Sequence, residues 1–264
     1  MEEKKEKIMR FGIGTKGFVY CLIGGLTLMA ALGQGGSKSD SGGALEFLRS
    51  NPFGMILLGA TTAGILAYVF WRFYQAIKDP EEKGNDTKGL AKRAGYLASG
   101  IFYSFLAFTA VDMLLGLGGG GGGSGNSQET IAARALSQPF GQILVAVIAT
   151  GFLGKALYQM YRAYTEKYRK KLKEQGLSDK TQKLVLTLGK LGYTARGIVI
   201  GVIAFLFYKA ALTYNSDQAG GTSDAFGYLQ DQFGTIVMAI IAAGLIMYGV
   251  FLIVKARHRD MSMI

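Results

Sequence analysis

The sequence has few of the residues that most often serve catalysis or metal binding. Its 264 residues include one cysteine, Cys21, and one histidine, His258, which lies in a basic C-terminal tail. One cysteine cannot form a disulfide within the chain. A metal site needs several His, Cys or carboxylate side chains together, and a Ser-His-Asp triad needs a histidine within the fold. We therefore predict no catalytic residue, no cofactor and no metal, and expect the protein not to be an enzyme.

Motifs for phosphate and nucleic acid binding are also missing. The glycine run that follows Leu117 has no Lys-Ser or Lys-Thr after it, so it does not match a phosphate-binding loop and is more typical of a flexible loop. The net charge is +11, but the basic residues occur without a nucleic acid recognition motif. We expect no nucleic acid partner.

Charged residues are absent from several long stretches of the chain. A helix needs about 20 apolar residues to cross a bilayer core about 30 Å thick. Five charge-free runs approach or exceed that length, and a sixth does so if Lys209 is tolerated. The runs are Gly17–Ser37, Ser50–Trp71, Ala94–Val111, Ala135–Gly154, Gly197–Tyr208 and Gln232–Val254. The sequence predicts an all-α polytopic membrane protein with six transmembrane helices.

A pattern of glycines repeats three times along the chain. Each copy begins with a six-residue segment that starts and ends in glycine and later contains a Phe-Gly pair. The three segments are GIGTKG (12–17), GYLASG (95–100) and GYTARG (192–197), and the pairs are Phe53-Gly54, Phe140-Gly141 and Phe233-Gly234. We predict one membrane domain, 1–264, made of three two-helix repeats, 10–80, 93–168 and 190–260, in a pseudo-threefold arrangement. The middle repeat is longer by four residues and contains the glycine run.

The loop inside each repeat has its own common pattern. Spaced apolar residues follow a Ser or Thr near an acidic residue, in SGGALEFLRSN, SQETIAARALSQ and TSDAFGYLQDQ. Hydroxyl side chains are good N-caps. The pattern predicts a short amphipathic helix at the membrane surface in every outer loop, capped by a hydroxyl.

The basic residues are unevenly distributed between the two sides. Of the 29 Lys and Arg residues, 24 fall on the side of the termini, and Lys38, Arg49 and Arg134 fall on the other side. Cytoplasmic loops are rich in Lys and Arg. We expect a multi-pass protein of the bacterial inner (plasma) membrane with both termini cytoplasmic, whose basic segments contact anionic lipid headgroups.

Glycines at equivalent positions indicate where helices pack in lipid. The second glycine of each opening segment is Gly17, Gly100 or Gly197, and a further glycine lies ten residues after each Phe-Gly pair, at Gly64, Gly151 and Gly244. Stripes at offsets of four and seven continue from the latter as Tyr68 and Trp71, Lys155 and Tyr158, and Tyr248 and Phe251. The stripes fit either a packing seam or the lining of a cavity on a shared axis.

Three ionisable residues lie within the predicted spans, where such residues are expensive and usually functional. Asp112 and Lys209 occupy equivalent positions in the second and third repeats, so we expect them at the same depth, where an ion pair is plausible. Lys155 lies closer to the cytoplasmic boundary, where it could extend its amine to the headgroups or face a water-filled cavity.

The repeated motifs resemble a known bacterial membrane family. GYLASG, GYTARG, NPFG, QPFG and the segment FWRFYQAIKDP are similar to the family called domain of unknown function 1206. The first copy lacks the tyrosine and the third lacks the proline. The resemblance implies three two-helix repeats in the inner membrane and implies no activity.

Two functions remain open from the sequence. The first is a channel or transporter for a small solute or ion along the pseudo-threefold axis. The second is a non-catalytic accessory or structural membrane protein that binds lipid, another membrane protein or a second copy of itself. Candidate pathway or polar-contact residues are Asp112, Lys155, Lys209, Tyr68, Tyr158, Tyr248 and Trp71.

Overall fold

The computed structural model describes residues 2–80, 82–116, 126–165 and 179–257. The predicted glycine-rich loop and His258 lie outside these residues. Within them the secondary structure is helical, and we number the α-helices in chain order. They are α1 (Glu2–Ala31), α2 (Ser41–Arg49), α3 (Gly54–Lys78), α4 (Thr87–Leu115), α5 (Asn126–Leu136), α6 (Gly141–Thr165), α7 (Asp179–Thr213), α8 (Thr222–Phe233) and α9 (Thr235–Arg257).

Six of these helices are long and apolar enough to cross a membrane. They are α1 from Glu6, α3, α4, α6, α7 from Gln182, and α9. Their lengths of 23 to 32 residues exceed the 20 or so that a bilayer core requires. The prediction of an all-α protein with six candidate transmembrane helices is confirmed.

A short helix precedes the second long helix of each repeat, as predicted: α2, α5 and α8. The prediction that a hydroxyl caps each short helix is wrong for α2 and α8. Asp40 accepts hydrogen bonds from the backbone N–H groups of Gly42 and Gly43, at 3.0 and 2.9 Å, and Asp224 accepts one from Gly221 at 2.7 Å. A carboxylate satisfies these N–H groups and also complements the positive end of the helix dipole, so it replaces the neighbouring hydroxyl. The side chains that begin α5 lie outside the described set.

Each Phe-Gly pair marks the start of a long helix through an unusual backbone conformation. Phe53 and Phe140 have φ of 60° and 62°, in the left-handed region, whereas in the third repeat the positive φ of 84° falls on Gly234. A methyl group on Gly141 would lie 2.5 Å from the carbonyl oxygen of Leu136, and one on Gly54 would collide with that of Leu48. The glycines allow the long helix to begin directly beneath the end of the short one.

The chain divides into two compact units. The first comprises the described parts of 1–19, 45–119 and 252–264, and the second those of 20–44 and 120–251. In the first unit α3 packs against α4, and in the second α6 packs against α7. In both cases the second helix of one repeat packs against the first helix of the next repeat.

A tight loop connects α3 to α4 in the first unit. Asp79 follows α3 with a φ of 44°, and its carboxylate accepts hydrogen bonds from the backbone N–H groups of Lys83 and Gly84 at 3.0 and 2.8 Å. These bonds hold the pKa of Asp79 below its ordinary value. Asp86 then caps α4 by accepting from the N–H of Gly89. The loop thus fixes how α4 enters against α3.

Candidate functional site

Two positions of the repeat carry polar or charged side chains within the long helices. The position before the second glycine of the opening segment is Lys16 in the first repeat, Ser99 in the second and Arg196 in the third. The position fourteen residues after the Phe-Gly glycine is Tyr68, Lys155 and Tyr248, respectively. The first and third repeats therefore place a cation on their first helix and a tyrosine on their second.

In the first unit these residues form a group that we call the Lys16 cluster. Its members are Lys16, Tyr68, Arg72, Gln75, Tyr96 and Tyr103. The Lys16 amine donates a hydrogen bond to the Tyr68 hydroxyl oxygen at 2.8 Å, and Nε of Arg72 donates to the same oxygen at 2.7 Å. Two cations therefore converge on one phenol oxygen.

Aromatic rings and an amide surround the two cations. The Lys16 amine lies 4.7 Å from the centre of the Tyr103 ring, and the Arg72 guanidinium lies 5.2 Å from that of Tyr96. Arg72 Nη1 also donates to Gln75 Oε1 at 3.0 Å, and the Gln75 side chain is buried. Ring faces attract cations most strongly where water is excluded, so these contacts stabilise positive charge within the helices.

The second unit contains an equivalent group, the Arg196 cluster, formed by Arg196, Tyr20 and Tyr248. Nη1 of Arg196 donates to the Tyr248 hydroxyl at 2.7 Å, and Nε donates to the Tyr20 hydroxyl at 3.1 Å. The Tyr20 and Tyr248 rings pack edge to face, with centres 5.0 Å apart. Tyr20 and Tyr103 occupy the same position in their repeats, three residues after the second glycine. Both clusters thus combine a cation, the tyrosine of its own repeat, and a tyrosine from the first helix of another repeat.

The two clusters rest on matching glycine contacts. A methyl group on Gly12 would lie 2.7 Å from the backbone nitrogen of Tyr68, and one on Gly192 would lie 2.6 Å from Cα of Tyr248. Both glycines precede their tyrosine by 56 residues. The missing side chains allow the two helices of a repeat to touch backbone to backbone, which brings each cation within reach of its tyrosine.

The glycine ten residues after the Phe-Gly pair also makes a close contact in the first and third repeats. A methyl group on Gly64 would collide with Thr15, and one on Gly244 would collide with the Ala195 side chain. Both of these predicted packing glycines therefore lie within tight helix contacts.

The second repeat departs from this arrangement. Its equivalent glycines, Gly95 and Gly151, have open space where a methyl group would be placed. Lys155 and Tyr158, which continue the stripe, are exposed. Gly151 therefore does not act as a packing glycine, although the sequence pattern is the same. Arg162, one turn beyond Tyr158, instead places its guanidinium 4.7 Å from the Tyr193 ring centre.

The remaining sequence candidates occupy separate places. Gly17, Gly100 and Gly197 are buried; Gly100 lies against the Phe73 ring of α3, and Gly197 lies against Met160 of α6.

Asp112 is half-buried near the end of α4 in the first unit, and Lys209 is exposed on α7 in the second. The ion pair between Asp112 and Lys209 stays a prediction. Trp71 is 2% exposed, and its indole N–H has no hydrogen-bond acceptor among the described residues.

Sequence reasoning identified Tyr68 and Tyr248 but missed the other cluster tyrosines, Tyr20, Tyr96 and Tyr103, and the cations Lys16, Arg72 and Arg196. The three cations were counted among the cytoplasmic charges because they lie at the edges of apolar runs. A signal was present, since aligning the opening segments puts Lys16, Ser99 and Arg196 at one position. Among the described residues, no group of three His, Cys, Asp or Glu side chains could hold a metal ion.

Comparison with known proteins places the chain in a family of unknown function. The family described as Domain of Unknown Function (DUF1206) matches it three times, at 11–79, 94–166 and 191–259. The chain is 34% identical over 265 residues to "Uncharacterized protein YxxB" of Bacillus subtilis (strain 168), covering 99% of this chain and 94% of that protein. No solved structure matches the chain. The three matches and this full-length similarity show that the chain belongs to the DUF1206 family.

Proposed function

We propose that this protein mediates the passage of a small solute or ion across the bacterial plasma membrane. The observation that supports this function is the recurrence of a part-buried cation–tyrosine hydrogen bond at equivalent positions of two repeats, within helices long enough to span a membrane. Charged groups at membrane depth are costly and most often belong to a pathway. We also propose that both termini are cytoplasmic and that the basic segments on that side contact anionic lipid headgroups, because most of the Lys and Arg residues lie there.

A second function is favoured by the same contacts. Each cation head group is held by a tyrosine hydroxyl, as expected if the clusters serve only to fix the helices together. The alternative is a non-catalytic accessory or structural protein that binds lipid, another membrane protein or a second copy of itself. Such a protein would need no polar route through the bilayer.

Flux measurements in liposomes separate the two functions. The purified protein is reconstituted, and the leak of small cations, anions and neutral solutes is compared with that of empty liposomes. We expect Lys16→Gln and Arg196→Gln to reduce the flux by about tenfold or more, because each removes a charge-assisted hydrogen bond worth about 1.5–3 kcal/mol. Lys88→Gln, at an exposed residue outside both clusters, serves as the matched control.

Two results would count against passage. One is the absence of protein-dependent flux for every solute tested, with the protein shown to be folded by gel filtration. The other is a stoichiometric partner that co-purifies with the native chain while no flux is seen, which would support the accessory function.

A further inference from the structure

We propose that the Lys16 cluster is a binding site for an anion, either a free oxyanion such as phosphate or the phosphate of an anionic lipid headgroup. This inference deepens the proposed function, because it names the charge class of the ligand that the helices accept. It rests on the geometry around one oxygen atom, the hydroxyl of Tyr68.

Two positive charges meet at this oxygen. The Lys16 amine and the Arg72 Nε lie 2.8 and 2.7 Å from it, so their separation is small. Like charges at such a distance repel strongly where water is scarce. The Tyr68 oxygen can balance at most one of the two positive charges, and the ring faces only reduce the remaining repulsion. An anion bound beside the pair would neutralise it.

The helices of the cluster provide few carboxylates near it. In α3 there is no Asp or Glu, and α4 contains one, Asp112, nine residues beyond Tyr103 or about 13 Å along the helix. In α1 the carboxylates lie at or before Glu6, at least about 15 Å from Lys16 by the same rise. Glu6 also forms an ion pair with Arg10. The charge of these helices around the cluster is therefore positive.

The cluster lies at a depth that an anion can reach from the basic side. Arg72 is six residues from the end of α3, about 9 Å along the axis, and Lys16 is about 15 Å from the beginning of its candidate span. Basic groups set between helices on that side suit phosphate-bearing headgroups. Arginine binds phosphate oxygens well because its planar nitrogens form parallel hydrogen bonds.

Trp71 provides a further donor next to the cluster. It precedes Arg72 and shares a helix face with Tyr68 and Gln75. Its buried N–H, without an acceptor in the described part of the chain, incurs a desolvation cost that an anionic oxygen would remove. Trp71 is also the only tryptophan in the chain, so its fluorescence reports on this place alone.

The Arg196 cluster offers an internal comparison. There a single guanidinium donates to two separate tyrosine hydroxyls, Tyr20 and Tyr248, so two cations do not share an oxygen. The repulsion that calls for an anion at Tyr68 is absent from this hydrogen-bonding pattern. We assign the anion site to the Lys16 cluster for this reason.

The test is a titration of Trp71 fluorescence with the full chain in nanodiscs of zwitterionic phosphatidylcholine. Inorganic phosphate and the short-chain lipid dihexanoyl phosphatidylglycerol are added in separate arms at constant ionic strength, with dihexanoyl phosphatidylcholine as the neutral control. We expect a saturable change with at least one anionic probe. Its midpoint should rise about tenfold or more in Arg72→Gln and Lys16→Gln, because each loses a charge-assisted donor. Lys16→Arg should retain binding, and Lys88→Gln should equal the native chain.

The arms identify the source of the phosphate, since a response to the lipid alone indicates a headgroup site, and a response to phosphate indicates a free-anion site. The proposal is overturned if neither anionic probe gives a saturable change with the native chain. It is also overturned if Lys16→Gln, Arg72→Gln and the native chain share one midpoint. If Lys16→Gln does not fold, Arg72→Lys is compared with Lys16→Arg. The midpoint should rise in Arg72→Lys and stay near the native value in Lys16→Arg, and equal midpoints would overturn the proposal. Binding without flux would refute the proposed passage but leave this site intact, whereas flux without binding would refute the site alone.

Discussion

Gly12, Gly95 and Gly192 hold the same place in the three repeats but differ in what lies beside their Cα atoms. Gly12 and Gly192 touch the backbones of Tyr68 and Tyr248, and Gly95 faces open space. A backbone cannot yield as a flexible side chain can, so the cost of an added methyl group should differ sharply among the three.

We expect Gly12→Ala and Gly192→Ala to lower the free energy of unfolding by about 1–3 kcal/mol, the usual cost of overpacking. Gly95→Ala is the matched control and should leave stability unchanged or raise it by up to about 1 kcal/mol, because alanine favours the helix. Thermal denaturation in detergent measures all three. Equal melting temperatures for Gly12→Ala and Gly95→Ala would contradict the close contact.

Arg196 joins two tyrosine hydroxyls through one side chain. Its planar group donates to both Tyr20 and Tyr248, and a lysine amine cannot reproduce that spacing. Arg196→Lys should therefore destabilise the protein by about 1.5–3 kcal/mol, the net contribution of one hydrogen bond to a charged group.

A double-mutant cycle with Tyr20→Phe checks this expectation. If Arg196→Lys loses the bond to Tyr20, the two changes together should cost less than their sum. Strict additivity in denaturation experiments would mean that the lysine still reaches both hydroxyls or that the bond contributes nothing.

At the scale of helices, apolar run length predicted the spans well but not their ends. The first run begins at Gly17, whereas α1 begins at Glu2, because Glu and Lys are good helix formers and Glu6 pairs with Arg10 one turn later. The capping residues of α2 and α8 were missed because a nearby carboxylate competes with each hydroxyl. Apolar run length and the positions of hydroxyl residues therefore do not determine where a helix begins or which side chain caps it.

The helix starts at the Phe-Gly pairs give a testable contrast. Phe53 adopts a left-handed backbone conformation that costs a non-glycine residue about 1–2 kcal/mol, and its ring is 82% exposed, so little packing would be lost with it. We expect Phe53→Gly to raise the melting temperature in detergent.

Phe233 is the matched control because it is the last residue of α8 and its φ is not positive. Phe233→Gly should lower stability by about 1 kcal/mol, the cost of glycine within a helix. If both variants shift in the same direction, the left-handed strain at Phe53 is not the deciding term.

For the molecule as a whole, the sequence predicted the number of spans and the repeat but not the clusters. The contacts that form them join helices 52 residues apart in the chain, as in Lys16 with Tyr68 and Arg196 with Tyr248. Side-chain spacing within one helix cannot show which face meets another helix. The pattern therefore also failed to distinguish the tight seams at Gly64 and Gly244 from the open surface at Gly151.

The proposed orientation can be tested on intact cells. Cys21 is first replaced by serine, and single cysteines are then introduced as Ser37→Cys and Lys88→Cys, both at exposed positions outside the helix contacts. A membrane-impermeant maleimide should label Ser37→Cys in intact cells and Lys88→Cys only after lysis. The reverse pattern would place the termini outside.

The glycine contacts also bear on how the three copies diverged after duplication. The first and third repeats share one spacing, between Gly12 and Tyr68 and between Gly192 and Tyr248, whereas the second is longer by four residues and has Ser99 and Lys155 at the positions of the cation and the tyrosine. A repeat whose two helices touch backbone to backbone tolerates few substitutions at that contact. The middle copy lacks these close contacts, so substitutions at Gly95 and Gly151 should cost the fold less than substitutions at their counterparts.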